Sequence, residues 1–256
     1  MNSTEQIIRR CVEETDSPID LWRIDMWIRF LNSVQAKHMA EVGVYTGRFA
    51  SYILKGCESI EKYYMIDPWR HLDNFNKPEN MSDDIFEDFL SETKLKTDFA
   101  AEKRIILRGK TTEVIDQIQD GELDFAYIDG DHTLRGISID LVRVYPKIKA
   151  GGWIGGDDFV KNLWQHRSKF EPTFVFPFAV YFAEAVGARI YALPGAQFLM
   201  EKNINSSFSF IDLTGKYQDT ALRDQLIPSR ILKLKLKEKF PFMSKVFSGV
   251  KRIVLK

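Results

Sequence analysis

Five residues able to do chemistry fall within a short span of this 256-residue chain. Asp129, Asp131 and His132 share one turn, and Asp157 and Asp158 share another. Carboxylates gathered at one place repel one another unless something positive sits between them. The default filler is a hard divalent cation, which prefers oxygen ligands. Histidine's unperturbed pKa of about 6.5 suits a general base, and a carboxylate cluster raises it while a bound dication lowers it.

The surrounding pattern brings these turns to one edge. The apolar run Phe125-Ala126-Tyr127-Ile128 stops at Asp129. Leu134, Ile137, Leu141, Val144, Tyr145 and Ile148 then recur at helical spacing, and Lys149-Ala150-Gly151-Gly152 breaks the pattern. Trp153-Ile154 is a second short strand ending at Asp157-Asp158. Strand, helix and strand of this length form a right-handed βαβ unit. Both strands of such a unit point the same way, so their acidic ends share the carboxyl edge, where open α/β sheets bind ligands.

Upstream, the strand Ala40-Glu41-Val42 runs into a loop with Gly43 and Gly47, then a helix from about Arg48. Glycines there allow a tight turn and close approach to a ligand. The third glycine of the dinucleotide fingerprint is missing, which counts against NAD. The strand Lys62–Ile66 ends at Asp67-Pro68-Trp69. An acid about twenty residues past the glycine loop is placed to accept from ribose hydroxyls. Trp69 either borders the ligand or packs at the rim. After a third strand, Arg104–Arg108, the Gly109-Lys110 turn lies beside the ligand's base. Residues 72–102 read as a loop over the edge followed by a helix on Ile85, Phe86, Phe89 and Leu90. Long loops there act as lids or set specificity. Residues 160–177, with Trp164, His166 and Arg167, are the natural acceptor wall. Residues 4–36 give two helices, the second starting at Ser17-Pro18 and packing its Trp22 and Trp27 stripe on the sheet. A helix at 178–186 precedes a terminal hairpin around Pro194-Gly195.

Composition is that of a soluble globular protein, 45% hydrophobic and 28% charged. Two cysteines give neither a disulfide framework nor a zinc cluster, and a reducing cytoplasm fits. The polar start predicts no signal peptide, and no run reaches membrane-spanning length. Zero net charge hides an asymmetry: residues 230–256 carry +8 and the rest −8. Phe242, Met243, Val246, Phe247, Val250, Ile253 and Val254 share one helix face, and basic residues take the other. That pattern predicts an interfacial helix in peripheral contact with a membrane's inner face, or else a tail packed on the domain or on a second subunit of a homodimer. An acidic body and a tail without interleaved stacking aromatics argue against nucleic acid.

The order of elements resembles a class I S-adenosylmethionine-dependent methyltransferase. Glu41-Val42-Gly43-Val44-Tyr45-Thr46-Gly47 is similar to its first motif, and Asp67 matches the acidic ribose ligand of its second. The Ile128–His132 and Gly151–Asp158 segments resemble the metal-dependent O-methyltransferases of the macrocin and methyltransferase 24 group, with catechol O-methyltransferase more distant. The resemblance covers residues 38–203. It implies an α/β fold, doubly wound, with a seven-stranded mostly parallel sheet ending in an antiparallel hairpin. It implies S-adenosylmethionine held at Glu41, Gly43, Tyr45, Gly47, Asp67, Trp69, Gly109, Lys110 and Asp129. It implies Mg2+ or another divalent ion on Asp129, Asp157 and Asp158. The base is Asp131 by the macrocin pattern, while His132 stands where catechol-type enzymes carry lysine, so both remain candidates.

The sequence thus predicts a helical cap at 1–37, a catalytic domain at 38–203 and a linker with a basic tail at 204–256. The expected activity is metal-assisted methylation of a hydroxyl on a sugar, glycan or glycosylated small molecule. The alternatives are a metal-independent methyltransferase and a nucleoside-binding protein without catalysis.

Overall fold

The computed structural model describes residues 3–202, 207–217 and 228–240. Its eight-stranded sheet comprises β1 (His38–Val42), β2 (Lys62–Asp67), β3 (Arg104–Arg108), β4 (Leu123–Ile128), β5 (Ile148–Gly156), β6 (Arg189–Leu193), β7 (Gln197–Glu201) and β8 (Ser209–Asp212). The order across the sheet is β3-β2-β1-β4-β5-β7-β6-β8. All pairings are parallel except those of β7, which runs against β5 and β6. The expected doubly wound sheet with its hairpin is present, and one strand longer than expected. Residues 209–212 look polar and aperiodic in sequence, but they pair with β6. There they protect an edge that would otherwise expose unpaired backbone.

The helices are α1 (Ser3–Glu13), α2 (Ile19–Ser33), α3 (Arg48–Gly56), α4 (Asp83–Lys96), α5 (Thr111–Val114), α6 (Leu134–Val144), α7 (Val175–Ala185) and α8 (Pro228–Lys239). Each face of the sheet buries one apolar cluster. One joins α1 to α4 against the sheet through Ile8, Trp27, Phe30, Phe49 and Leu90. The other joins α5 to α7 through Val114, Ile137, Leu141, Phe176 and Ala179. The Trp27 stripe packs on the sheet as its spacing implies, its ring 5.3 Å from Phe125 and 5.6 Å from Tyr127. The N-terminal helices are therefore one layer of the same core rather than a separate cap.

Register positions the site. Val42 pairs with Ile66 and with Ile128, and Ile128 pairs with Gly156. The next residue on each strand therefore sits level at the carboxyl edge: Gly43, Asp67, Asp129 and Asp157. The chain turns sharply at that edge. Tyr45, Trp69 and Asp158, none of them glycine, adopt left-handed backbone with φ of 55°, 40° and 56°. Such conformations cost energy and gather at functional sites. Among the described residues no helix is long and apolar enough to cross a membrane. The amphipathic pattern at 242–254 lies outside the described residues.

Candidate active site

The first half of the edge is built around Asp67. Its Oδ2 accepts from the backbone N–H groups of Val44 and Tyr45, both at 2.9 Å, and its Oδ1 accepts from Trp69 N at 2.8 Å. The carboxylate thus pins the glycine loop to the end of β2. Burial pushes its pKa up, against the three backbone donors that stabilise the charge. A carboxylate accepts about four hydrogen bonds, so it retains capacity for a ribose hydroxyl. Gly109 N donates to the Asp67 backbone carbonyl at 2.9 Å, which joins the β3 turn to the end of β2. The Lys110 amide donates to Glu113 within that turn.

The loop itself is close-packed. At Gly43, with φ +87°, a Cβ would lie 2.1 Å from the Asp129 carbonyl oxygen. At Gly47, which caps α3, it would meet Thr93 at 2.8 Å. Tyr45 stays partly exposed with its ring 4.4 Å from Phe89. Trp69 departs from the position expected of a ligand-bordering ring: it is fully buried, and its indole N–H donates to the Tyr45 carbonyl at 2.8 Å. It supports the loop from inside. Glu41 is also buried and accepts from the Tyr63 hydroxyl at 2.7 Å, with burial pushing its carboxyl well above the usual range.

The second half of the edge gathers the acids. Asp129, His132 and Asp158 each offer a ligand atom, and these atoms lie within 4.8 Å of one another. His132 Nδ1 donates to Asp158 Oδ2 at 2.5 Å. Its Nε2 lies 3.4 Å from Asp129 Oδ1 yet is buried without a hydrogen-bond partner. Burial pulls the imidazole down, but the interactions with the Asp129 and Asp158 carboxylates outweigh it and raise it to about 10. Burial works upward on Asp158, and the histidine holds it below its ordinary value. Asp131 does not join this group. Its Oδ1 accepts from Thr133 N at 2.9 Å, and its side chain lies so close to Gly136 that a Cβ there would sit 2.2 Å from its Cγ. It orders the start of α6.

Asp157 faces different partners. Its Oδ1 accepts from Gln197 Nε2 at 2.6 Å and from Asp158 N at 2.8 Å. Its Oδ2 pairs closely with Arg23, whose Nη1 also lies 3.6 Å from Asp129 Oδ2. Gln197 is itself fixed, because its Oε1 accepts from Trp27 Nε1 at 2.8 Å and from the Tyr127 hydroxyl at 2.7 Å. Arg23, Gln197 and Lys77 belong to no motif read from the sequence. The one signal for Arg23 is a cation set among the aromatic residues of α2.

The donors fit a divalent ion through the oxygens of Asp129 and Asp158, with the buried His132 Nε2 lacking a partner beside them. The set gathered is not the three-aspartate set expected, since Arg23 and Gln197 hold Asp157.

The lid and the wall are joined above this edge. Lys77, buried in the 72–82 loop, donates to the Glu171 carbonyl at 2.9 Å and to Thr173 Oγ1 at 3.1 Å. Thr173 donates to Gln165 Oε1 at 2.8 Å, and Gln165 Nε2 reaches Asp158 Oδ1 at 3.1 Å. The acceptor wall is therefore linked by hydrogen bonds both to the lid and to the acids.

A family profile described as a methyltransferase domain matches residues 40–159, a stretch that ends just past the acidic pair. No curated protein sequence matches the chain. Among solved structures it is similar to a putative caffeoyl-CoA O-methyltransferase from Staphylococcus aureus, with a TM-score of 0.53 and 14% identity, covering 79% of this chain and 93% of that one. It is similar to an O-methyltransferase from Bacillus cereus in complex with S-adenosylhomocysteine, with a TM-score of 0.51 and 14% identity, covering 78% and 90%. A third is an O-methyltransferase of Streptomyces achromogenes involved in tomaymycin synthesis, in complex with S-adenosylmethionine, with a TM-score of 0.51 and 12% identity, covering 79% and 91%.

Proposed function

We propose that this chain, whose residues 40–159 match a methyltransferase-domain profile, is a class I S-adenosylmethionine-dependent O-methyltransferase acting on a hydroxyl of a sugar, glycan or glycosylated small molecule. The observation that carries the reading is the imidazole of His132, held by Asp158 with its other nitrogen unpartnered, at the edge where the glycine loop meets Asp129.

Methyl transfer from a sulfonium is an in-line displacement. The acceptor oxygen forms a bond to the methyl carbon, the carbon–sulfur bond breaks, its electron pair stays on sulfur, and S-adenosylhomocysteine remains. Much of the acceleration comes from holding oxygen, carbon and sulfur in line. Asp67 and the 43–47 loop supply the cofactor's side of that alignment, and the lid and wall supply the acceptor's. The acceptor's proton goes to His132 Nε2 when the ring is neutral. Asp158 on Nδ1 fixes the tautomer that leaves Nε2 free, the arrangement by which an orienting carboxylate serves a histidine base. With a pKa of about 10 the ring is protonated at neutral pH, so this role calls for a positive charge nearby that lowers it. A divalent ion on Asp129 and Asp158 would do so, and would lower the pKa of an acceptor hydroxyl bound to it.

The test is transfer of a labelled methyl group from S-adenosylmethionine to a panel of sugar and glycan acceptors, with Mg2+ and with excess EDTA. Turnover is expected on at least one acceptor and its loss in EDTA. His132→Asn should lower kcat by about 10²–10⁴-fold, the range for losing a general base, with S-adenosylhomocysteine affinity within about twofold. Turnover that survives EDTA removes the metal from the reading; full turnover in His132→Asn removes the base.

A further inference from the structure

Arg23 stands where a cation is expected and lies outside the matched methyltransferase segment. It comes from α2, which packs on the sheet through Trp27, one turn further along the helix. Its guanidinium contacts carboxylates on two neighbouring strand ends, Asp157 after β5 and Asp129 after β4. Its side chain is 36% exposed.

The acids therefore divide between two intramolecular cations. His132 sits between Asp129 and Asp158, and Arg23 between Asp129 and Asp157. A divalent ion taking Asp129 and Asp157 as ligands has to displace the guanidinium, because both need the same oxygens and like charges at that distance repel.

We infer that Arg23 is an intramolecular competitor for the divalent-cation site, occupying Asp129 and Asp157 until an ion displaces it. The inference rests on the reading of these aspartates as a metal site. It makes the ion exchangeable rather than resident. When Arg23 withdraws, Asp157 Oδ2 is freed while Gln197 still holds Oδ1, and Asp129, Asp157 and Asp158 become available together. Arg23 is thus a positioning residue that tunes metal affinity.

The experiment is calorimetric titration of the full chain with MnCl2, wild type against Arg23→Gln, with no acceptor present. Glutamine keeps a polar side chain on α2 and removes the charge. Mn2+ should bind Arg23→Gln at least tenfold more tightly than wild type, and should raise its melting temperature by more, since a ligand stabilises the state it binds. Equal or weaker binding in the variant overturns the inference. If the variant fails to fold, Arg23→Lys decides. A lysine keeps one charge but loses the two-pronged fork, so its Mn2+ affinity should lie above that of wild type, and an affinity at or below wild type overturns the proposal. The outcomes separate from those of the catalytic reading. Tighter Mn2+ binding without methyl transfer leaves this inference standing and removes the proposed activity. Methyl transfer with unchanged Mn2+ affinity does the reverse.

Discussion

Asp140 is a buried acid that the proposed chemistry does not use. It lies on α6, accepts from the Thr111 hydroxyl at 2.6 Å, and sits 3.4 Å from where a Cβ on Gly130 would be. Burial raises its pKa to about 7, with Thr111 opposing. A carboxyl raised on folding stabilises the fold in its neutral form. That contribution is complete below the unfolded value near 4 and is lost as pH climbs through about 7. Asp140→Asn mimics the neutral form. Urea unfolding should find the variant and wild type similar at pH 4 and the variant more stable at pH 8, by on the order of 4 kcal/mol for a shift of this size. A gap that does not change between pH 4 and 8 contradicts the assignment. Gly43 gives a second residue-scale outcome. An alanine there combines left-handed backbone with a collision against the Asp129 carbonyl. Gly43→Ala should weaken S-adenosylhomocysteine binding at least tenfold by titration. At this scale the motif residues Gly43, Asp67, Asp129 and Asp158 were legible because chain spacing and strand ends suffice to place them. Asp157 and Asp158 look equivalent in sequence, but adjacent side chains diverge, and the left-handed turn at Asp158 sends one to His132 and the other to Arg23. Arg23 itself was not legible, because periodicity shows which face of α2 meets the sheet and not which strand end that face overlies.

The lid and wall act as elements through their latch. The 72–82 loop meets the wall at Lys77 and at Asn76, whose Nδ2 donates to the Lys169 carbonyl at 2.9 Å. Arg135 on α6 adds a bond to the Asn74 carbonyl at 3.0 Å, and Phe174 N donates to the His132 carbonyl at 2.8 Å. Lid, wall and the His132 turn are thus one hydrogen-bonded unit. Burial lowers the pKa of Lys77, while Asp158 and Asp131 nearby raise it. Lys77→Met keeps the stem and strands two acceptors, costing about 1–3 kcal/mol for unsatisfied buried groups. The lid should then be cleaved roughly tenfold faster in limited proteolysis, and acceptor KM should rise while S-adenosylhomocysteine affinity stays within about twofold. Unchanged cleavage would mean that Asn76 and Arg135 suffice to hold the lid. The sequence made this loop legible as a lid over the edge, but not its anchors. A buried lysine resembles a surface one until its partners, nearly a hundred residues downstream, are known.

For the molecule as a whole, the question is where the folded body ends. The spacing put that end near residue 203, because residues 204–229 are polar and weakly periodic. The body extends further. Asp212 gathers the turn after β8, accepting from Thr214 N, Gly215 N and Tyr217 N. Tyr217 is buried and donates its hydroxyl to the Phe159 carbonyl. Its ring packs 5.2 Å from Phe159 and 4.9 Å from Phe176. The segment therefore clamps the start of the wall, one residue past Asp158. A chain ended at residue 217 should fold like the full chain. One ended at 202 should lose about 3 kcal/mol or more, the cost of deleting a buried aromatic, and expose the β6 edge. Beyond 217 the charge changes sign, and α8 rests on the wall through Glu238, which accepts from the Ser168 hydroxyl at 2.7 Å. We propose that the basic 230–256 region brings this acidic body to an anionic membrane surface, where each lysine or arginine near the lipid adds about 1 kcal/mol. The full chain should sediment with vesicles containing phosphatidylglycerol and be released by salt, since such attraction is screened. The 1–217 chain should stay in the supernatant with its methyl transfer to a soluble acceptor unchanged. Co-sedimentation of the shortened chain, or none of the full one, would reassign the tail to contacts between protein chains.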